Sequence, residues 1–272
     1  MYFDAHFHLF DDTLLGNTLA NNIGEKPDRD YFFDKYHSIR GAIGGVVMGN
    51  GSLEKQGENL PENFFYMAGL DEQSYFPLKK EIYIEIERHL KNPQCVGVKL
   101  YPGYVPIYPN DTQYIPVFEL CEKYNKSLAI HTGMPAGLGA KMKYTKPIHL
   151  DDIAVDFPNL RIVMCHFGNP FLEEAAAVME HNRNVYADLS GLIEGNFVTE
   201  TLLESEHDYL KLLRTWINYI GDSSRFMFGT DWPAVNCFEY KKFISRIIAP
   251  DWIDDVMIHN ALDIYNIHLK GL

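Results

Sequence analysis

Two histidines separated by one residue, His6 and His8, stand in the opening stretch MYFDAHFHLF. An extended chain turns alternate side chains to one face, so both imidazoles point the same way. Imidazole nitrogen is a preferred ligand of zinc and similar cations, and such a pair is half of a metal site. Further candidates close later apolar runs. They are Lys99 in CVGVKLYP (95–102), His131 in SLAIHTG (127–133), His166 in RIVMCHFG (161–168) and Asp231 in RFMFGTDWP (225–233). Carboxylate oxygen completes the donor chemistry of a hard or borderline cation, and a metal with an open position makes hydroxide available near neutral pH.

The elements that must position these groups recur along the chain. Short runs rich in β-branched and aromatic residues, each followed by a turn signal, fall at 2–8, 41–50, 64–71, 95–102, 127–133, 161–168, 184–191 and 225–233. Helical periodicity lies between most of them, at 78–90, 112–125, 171–182 and 200–220, with further helices at 239–248 and 251–267. The connection 51–63 is weak in helical signal. Eight strands alternating with helices predict a parallel sheet closed into a single (β/α)8 barrel over residues 1–272, with the active site at the C-terminal face of the strands. Two long connections, 9–40 and 134–148, follow the first and fifth strands and would overhang that face.

Alternation then assigns faces. Lys99 inward sends Val96, Val98 and Leu100 toward the helices, and His131 inward sends Leu128 and Ile130 the same way. In the sixth strand, Met164 and His166 inward put Val163 and Cys165 outward, which makes Cys165 core packing and not a ligand. Phe226 and Phe228 outward leave Gly229 and Asp231 inward. Taken singly, each ionisable group reads better as a satisfied core residue, because burial of unpaired charge is costly. Six such groups at equivalent strand ends are explained together by a metal.

The ordered set DAHFH, GVKLYP, IHTG, CHFG, YADLSG and FGTDWP resembles the amidohydrolase superfamily, within it the amidohydrolase-related (amidohydrolase 2) branch. HLDDIAVDFPNLRIV and HNALDIYNI match the same style, so the resemblance covers nearly the whole chain. It implies a metal held by His6, His8 and Asp231, with His131 added in single-metal members. In two-metal members a carbamylated lysine bridges the ions; Lys99 holds that position, and His131 and His166 bind the second ion. With one metal, His166 is left for catalysis and Lys99 stays an ammonium that orients a substrate carboxylate or carbonyl. Zinc is the expected ion, with manganese, iron or cobalt able to serve. A homodimer is expected from the family.

The implied chemistry is metal-dependent hydrolysis of a carbonyl substrate, a lactone, ester or amide of a small molecule, neutral or anionic. Asp231 moves the proton from water to the leaving group, and His166 steadies the developing oxyanion. The alternative is decarboxylation of a small unsaturated or aromatic acid with the same residues; Lys99 favours hydrolysis. A TatD-like deoxyribonuclease would carry Glu at the fourth strand. A non-catalytic binding protein would be expected to have lost ligands.

Composition narrows the field. The chain has 272 residues, 46% apolar, with a formal net charge of −13. A phosphate-binding surface needs a basic footprint, so nucleic acid is not expected as a partner. The opening residues lack a basic, apolar and small-residue leader pattern, no run is long enough to span a bilayer, and the four cysteines form no C-x-x-C pair. A cytoplasmic enzyme acting on a small molecule, away from membranes, is the expectation. Among weaker signals, Asp4 shares the inward parity of His6 and His8 and reads better as a structural residue lower in the barrel than as support for the ligands, and Asp188 ends the seventh strand as a hydrogen-bonding support. Trp232 and Pro233 should line the pocket or its rim. Tyr101 and Tyr104 offer an aromatic wall. Lys141, Lys143 and Lys146 would suit an anionic substrate, although a solvated loop accounts for them better.

Overall fold

A computed structural model of the chain describes residues 1–10, 13–38, 41–137, 139–205 and 207–269. Eight strands run parallel in sequence order: β1 (Tyr2–Phe7), β2 (Ala42–Met48), β3 (Phe64–Leu70), β4 (Cys95–Leu100), β5 (Ser127–Ile130), β6 (Ile162–Met164), β7 (Val185–Asp188) and β8 (Phe226–Met227). The ladder is continuous from β1 to β8. Backbone bonds close the ring between its ends: Ala5 N to Phe228 O at 2.9 Å, Asp231 N to His6 O at 2.8 Å and His8 N to Trp232 O at 2.8 Å. The result is a (β/α)8 barrel, as the alternation of strands and helices predicts.

The helices are α1 (Leu14–Asn22), α2 (Arg29–Ser38), α3 (Lys80–Leu90), α4 (Ile115–Lys123), α5 (His149–Asp156), α6 (Leu172–His181), α7 (Thr199–Ser205), α8 (His207–Ile220), α9 (Cys237–Ile247) and α10 (Asn260–Ile264). The long connection after β1 therefore contains two helices. Thr13 starts the first of them by accepting from Gly16 N. Residue 206, inside the helix expected at 200–220, is outside the described residues. Between β2 and β3 only a short 3-10 turn forms, Leu53–Lys55, consistent with the weak helical signal there. None of the described helices is long and apolar enough to cross a membrane.

Two apolar clusters divide the molecule. The larger lies between strands and helices, where α8 turns Leu210, Leu213, Ile217 and Ile220 inward at helical spacing. The smaller fills the barrel interior with Phe3, Ala5, Val46, Met67, Val96, Ala129, Val163, Cys165 and Met227. The chain's last segment closes the N-terminal end of the barrel, adding Ala261, Ile264, Tyr265 and Ile267 to this cluster. Polar bonds hold it there: Ser127 Oγ and Arg161 Nε both donate to Ile264 O at 2.7 Å.

This partition corrects several expected faces. Val98, Leu100, Leu128, Ile130, Phe226 and Phe228 face the helices as alternation requires, but Val96 joins the interior. The β3–β4 register shifts beside it, which breaks the period of two. In β6 the whole assignment is reversed. Ile162 and Met164 face the helices, while Val163 and Cys165 face the interior. The strand ends at Met164, and the chain then enters a tight turn, so parity counted back from His166 does not apply.

Candidate metal centre

β1 carries His6 and His8 to the C-terminal mouth of the barrel, and the segment after β8 brings Asp231 against them. Asp231 Oδ1 lies 3.3 Å from His6 Nε2 and 3.2 Å from His8 Nε2. One ligand atom from each of the three residues falls within 4.8 Å of the other two. Asp231 reaches this point through a left-handed backbone, φ 63°. Close approach is permitted by glycine on the neighbouring strand end. A β-carbon at Gly191 would sit 2.9 Å from His166 Nδ1 and 3.1 Å from Asp231 Oδ2, at a φ of +57° that disfavours any side chain.

His131 directly follows β5 and His166 follows β6. Their rings meet with His166 Nε2 3.1 Å from His131 Nδ1. His166 also stands 4.9 Å, centroid to centroid, from the His6 ring. It is delivered by the Cys165–Gly168 turn, in which His166 and Phe167 have φ values of 63° and 44°. The expected inward position of His166 is reached, but by this reversal and not by strand parity. The imidazoles are nearly sealed from solvent, at 5% and 7% exposure.

Support for the cluster comes from carboxylates and amides behind it. Asp188 Oδ2 is 2.8 Å from His6 Nδ1, and Oδ1 accepts from His166 N at 2.9 Å and Ser190 Oγ at 2.5 Å. Ser190 Oγ in turn lies 2.9 Å from His166 Nδ1. Asp188 thus supports two histidines at once, the hydrogen-bonding part expected of it. His8 Nδ1 meets Asn50 Oδ1 at 2.6 Å, and Asp71 accepts from Gly51 N at 2.9 Å and Asn50 Nδ2 at 3.3 Å. Asn50, Asp71 and Ser190 were not singled out from the sequence. The signal was available, since VVMGN and MAGLD end β2 and β3 with polar residues at the same level as the other candidates.

The electrostatics separate these groups. Burial disfavours charge on His6, yet the Asp188 carboxylate overrides it and raises the imidazole well above its ordinary pKa. Burial would likewise raise Asp188 and Asp231. The charge of His6 holds Asp188 well below the usual carboxylate range, and the His166, His6 and His8 imidazoles packed around Asp231 do so for that carboxylate. Burial lowers His166 to about 4, and burial with the neighbouring His166 and Lys99 pushes His131 well down. Near neutral pH the site therefore offers ionised Asp188 and Asp231 beside neutral His131 and His166.

Lys99 comes from β4, fully buried, with Nζ 2.6 Å from Cys165 Sγ and 5.4 Å from the Tyr101 ring centre. This is the second consequence of the reversed β6 register. Cys165 packs on Lys99 inside the barrel and not among the helices. Asp4 has the structural role expected of it but not the inward face. Its carboxylate accepts from Thr230 N at 2.9 Å and Thr230 Oγ1 at 2.8 Å, because shifts in the β1–β2 register interrupt alternation between Asp4 and Phe7. Burial raises its carboxyl to about 7.

Above the cluster opens a cavity of about 620 Å3, lined at its floor by His8, Lys99, His131, His166 and Asp231. Tyr101 and Tyr104 form part of its wall, as expected, and Leu15, Leu19 and Met134 from the two long connections overhang it. Trp232 is absent from the lining. It is fully buried behind Asp231, 4.6 Å from the Phe32 ring, with Nε1 donating to Glu25 Oε2 at 2.7 Å. Pro233 does not line the cavity either. Lys141, Lys143 and Lys146 are exposed and stand outside the lining, as a solvated loop requires.

Comparison with known proteins agrees with this architecture. A family model described as Amidohydrolase matches residues 76–267, beginning after the His6–His8 strand. No curated protein matches the chain. Among solved structures, an uncharacterised TIM-barrel protein from Bordetella bronchiseptica is 20% identical, with a TM-score of 0.72 over 97% of this chain and 98% of that one. 5-Carboxyvanillate decarboxylase from Sphingomonas paucimobilis is 16% identical, TM-score 0.66, over 98% and 99%. An amidohydrolase from Burkholderia multivorans, solved with bound zinc, is 13% identical, TM-score 0.70, over 98% and 100%. At these identities the structural likeness establishes the shared fold, while the family model spans most of the chain: the protein belongs to the amidohydrolase family.

Proposed function

We propose that the protein is a metal-dependent hydrolase that uses water to open a lactone, ester or amide of a small molecule. The observation that carries this reading is a pair of buried imidazole nitrogens, His6 Nε2 and His131 Nε2, which have no hydrogen-bond partner beside the converging His8 and Asp231. Buried polar atoms left unpaired cost about 1–3 kcal/mol each, and a cation satisfies such nitrogens directly. The neutral state of His131, the ionised state of Asp231 and the support of His6 by Asp188 all suit a divalent ion, and the family is metal-dependent.

His6, His8, His131 and Asp231 would hold one ion, with zinc the first choice. When bound, that ion lowers the pKa of water and polarises a carbonyl. Asp231 turns Oδ1 to the two histidines, so Oδ2 is free to take a proton from attacking water and return it to the departing amine or alcohol. His166, held at Nδ1 by Ser190 Oγ, meets His131 Nδ1 with Nε2 and so fixes the tautomer that leaves His131 Nε2 for the ion. Lys99 lies against Cys165 rather than with His6, His8 and Asp231, which favours an amine that orients the substrate carbonyl over a carbamate that bridges two ions.

A second reading, decarboxylation of a small unsaturated or aromatic acid, draws on the Asp188–Ser190–His166 chain, which could deliver a proton to carbon. Metal content per chain, by plasma mass spectrometry on protein purified without chelator, is the first test. Near one equivalent is expected, with turnover in a panel of lactones, esters and amides. Near two would restore the carbamylated Lys99. Carbon dioxide release without hydrolysis would select the second reading, and no metal after reconstitution would overturn both.

A further inference from the structure

The charge pattern of the cavity points to a residue that the proposed reaction leaves unused. Among the described residues lining the cavity, Lys99 is the only lysine or arginine, and it is held at the floor against Cys165. The carboxylates are Asp231 at the floor, then Asp71, Glu72 and Glu194. Asp71 is occupied by Gly51 and Asn50, and Glu72 accepts from Ser74 Oγ at 3.1 Å. Glu194 has no hydrogen bond or ion pair to any described residue.

Glu194 is exposed at the rim of the cavity, and its backbone neighbour is tied down. Gly195 N donates to Ala234 O at 2.8 Å, and Ala234 N donates to Asp231 O at 2.9 Å, so the loop that carries Glu194 is tied to the segment that carries Asp231. Partial desolvation, with the charge of Asp231 second, raises the Glu194 carboxyl. Tyr104 stands within the field of both carboxylates. Its hydroxyl oxygen accepts from Ala136 N at 2.7 Å, and its ring stands edge-on to Tyr101 and His131 at centroid distances of 6.3 and 5.1 Å. An exposed carboxylate without a partner among the described residues, on a cavity that two tyrosines also line and whose one lysine is held at the floor, favours an ammonium group over an anion at the rim.

We propose that Glu194, with the Tyr101–Tyr104 wall, recognises a positively charged amine or ammonium group at the end of the substrate remote from the reacting carbonyl, and disfavours a carboxylate there. The inference rests on the hydrolase reading for the carbonyl, and it replaces the anionic substrate that the loop lysines suggested. Those lysines lie outside the lining.

The test uses the full-length, metal-loaded protein and three aryl hydroxamic acids that share one metal-binding head and carry a remote trimethylammonium, tert-butyl or carboxylate group. Calorimetric affinities are measured beside turnover of the three matching aryl esters. The ammonium probe should bind about tenfold tighter than the carboxylate probe, a ratio of the size expected for one partly screened ion pair. Glu194→Gln should shrink that ratio to about twofold, and Glu194→Lys should invert it, with metal content unchanged in both. Should Glu194→Gln fail to fold, Glu194→Asp and the loss of preference at high salt supply the same comparison. Equal or tighter binding of the carboxylate probe, or a preference untouched by substitution, overturns the inference. An ammonium preference without turnover of any ester sinks the hydrolase reading alone, and turnover without charge preference sinks the inference alone.

Discussion

The two ends of the barrel interior are built from the same strands and do opposite things. At the N-terminal end, Phe3, Val96, Ala129 and Met227 meet Tyr265 and Ile267 of the closing segment in a dry apolar plug. At the C-terminal end, the same strands finish in His6, His8, Lys99, His131 and Asp188, with His166 and Asp231 supplied by the turns that follow β6 and β8. Left-handed non-glycine residues occur at both ends, at a cost of order 1–3 kcal/mol each: Asn63, Asn125 and Asn266 only turn the chain at the apolar end, whereas His166 and Asp231 at the other end aim chemistry-bearing side chains. The plug stabilises the fold, and the opposite end holds strained, buried polar groups in place. One end should therefore govern stability and the other chemistry.

Substitutions at the two ends can break that division. The largest effect is expected from His8→Ala. Activity should fall by more than about a thousandfold with loss of bound metal, while the melting temperature of metal-free protein stays close to that of metal-free wild type. Retention of full metal content and turnover would show that the cluster is not the centre. Phe3→Ala, at the opposite end, should cost about 3–5 kcal/mol in denaturant unfolding through the cavity it leaves, with kcat per folded molecule unchanged. A comparable loss of kcat would mean that the plug and the site are coupled. Asp188→Asn sharpens the comparison, because it keeps the shape but removes the charge behind His6 and His166. A roughly 10- to 100-fold loss of metal affinity is expected, read by competition with a chromogenic chelator; unaltered affinity would reduce Asp188 to a packing residue.

Much of the site was legible because its carriers obey local rules. His6, His8, Lys99 and His131 sit on extended backbone that ends in turn signals, and Asp188 closes β7 in the same way. Cys165 and Asp4 were misplaced where that backbone departs from regularity, at the β6 turn and at the shifted β1 register. Trp232 was misplaced for another reason. Adjacency to Asp231 says where its backbone runs, but the partners that bury its ring, Phe32 and Glu25, lie some two hundred residues earlier. The helices inside the connection after β1 were missed because their apolar positions are few and irregularly spaced.

The number and order of the strands, the barrel they close and the nitrogen and oxygen donors at one end are all legible in residue order, since alternation and turn chemistry are local properties of the chain. The contact of Cys165 with Lys99, the sealing of Trp232 away from the cavity, and the place of Glu194 on its lining with no partner among the described residues emerge only from the folded chain. Those facts depend on left-handed turns and on contacts between distant segments, and neither leaves a periodic trace in the order of residues.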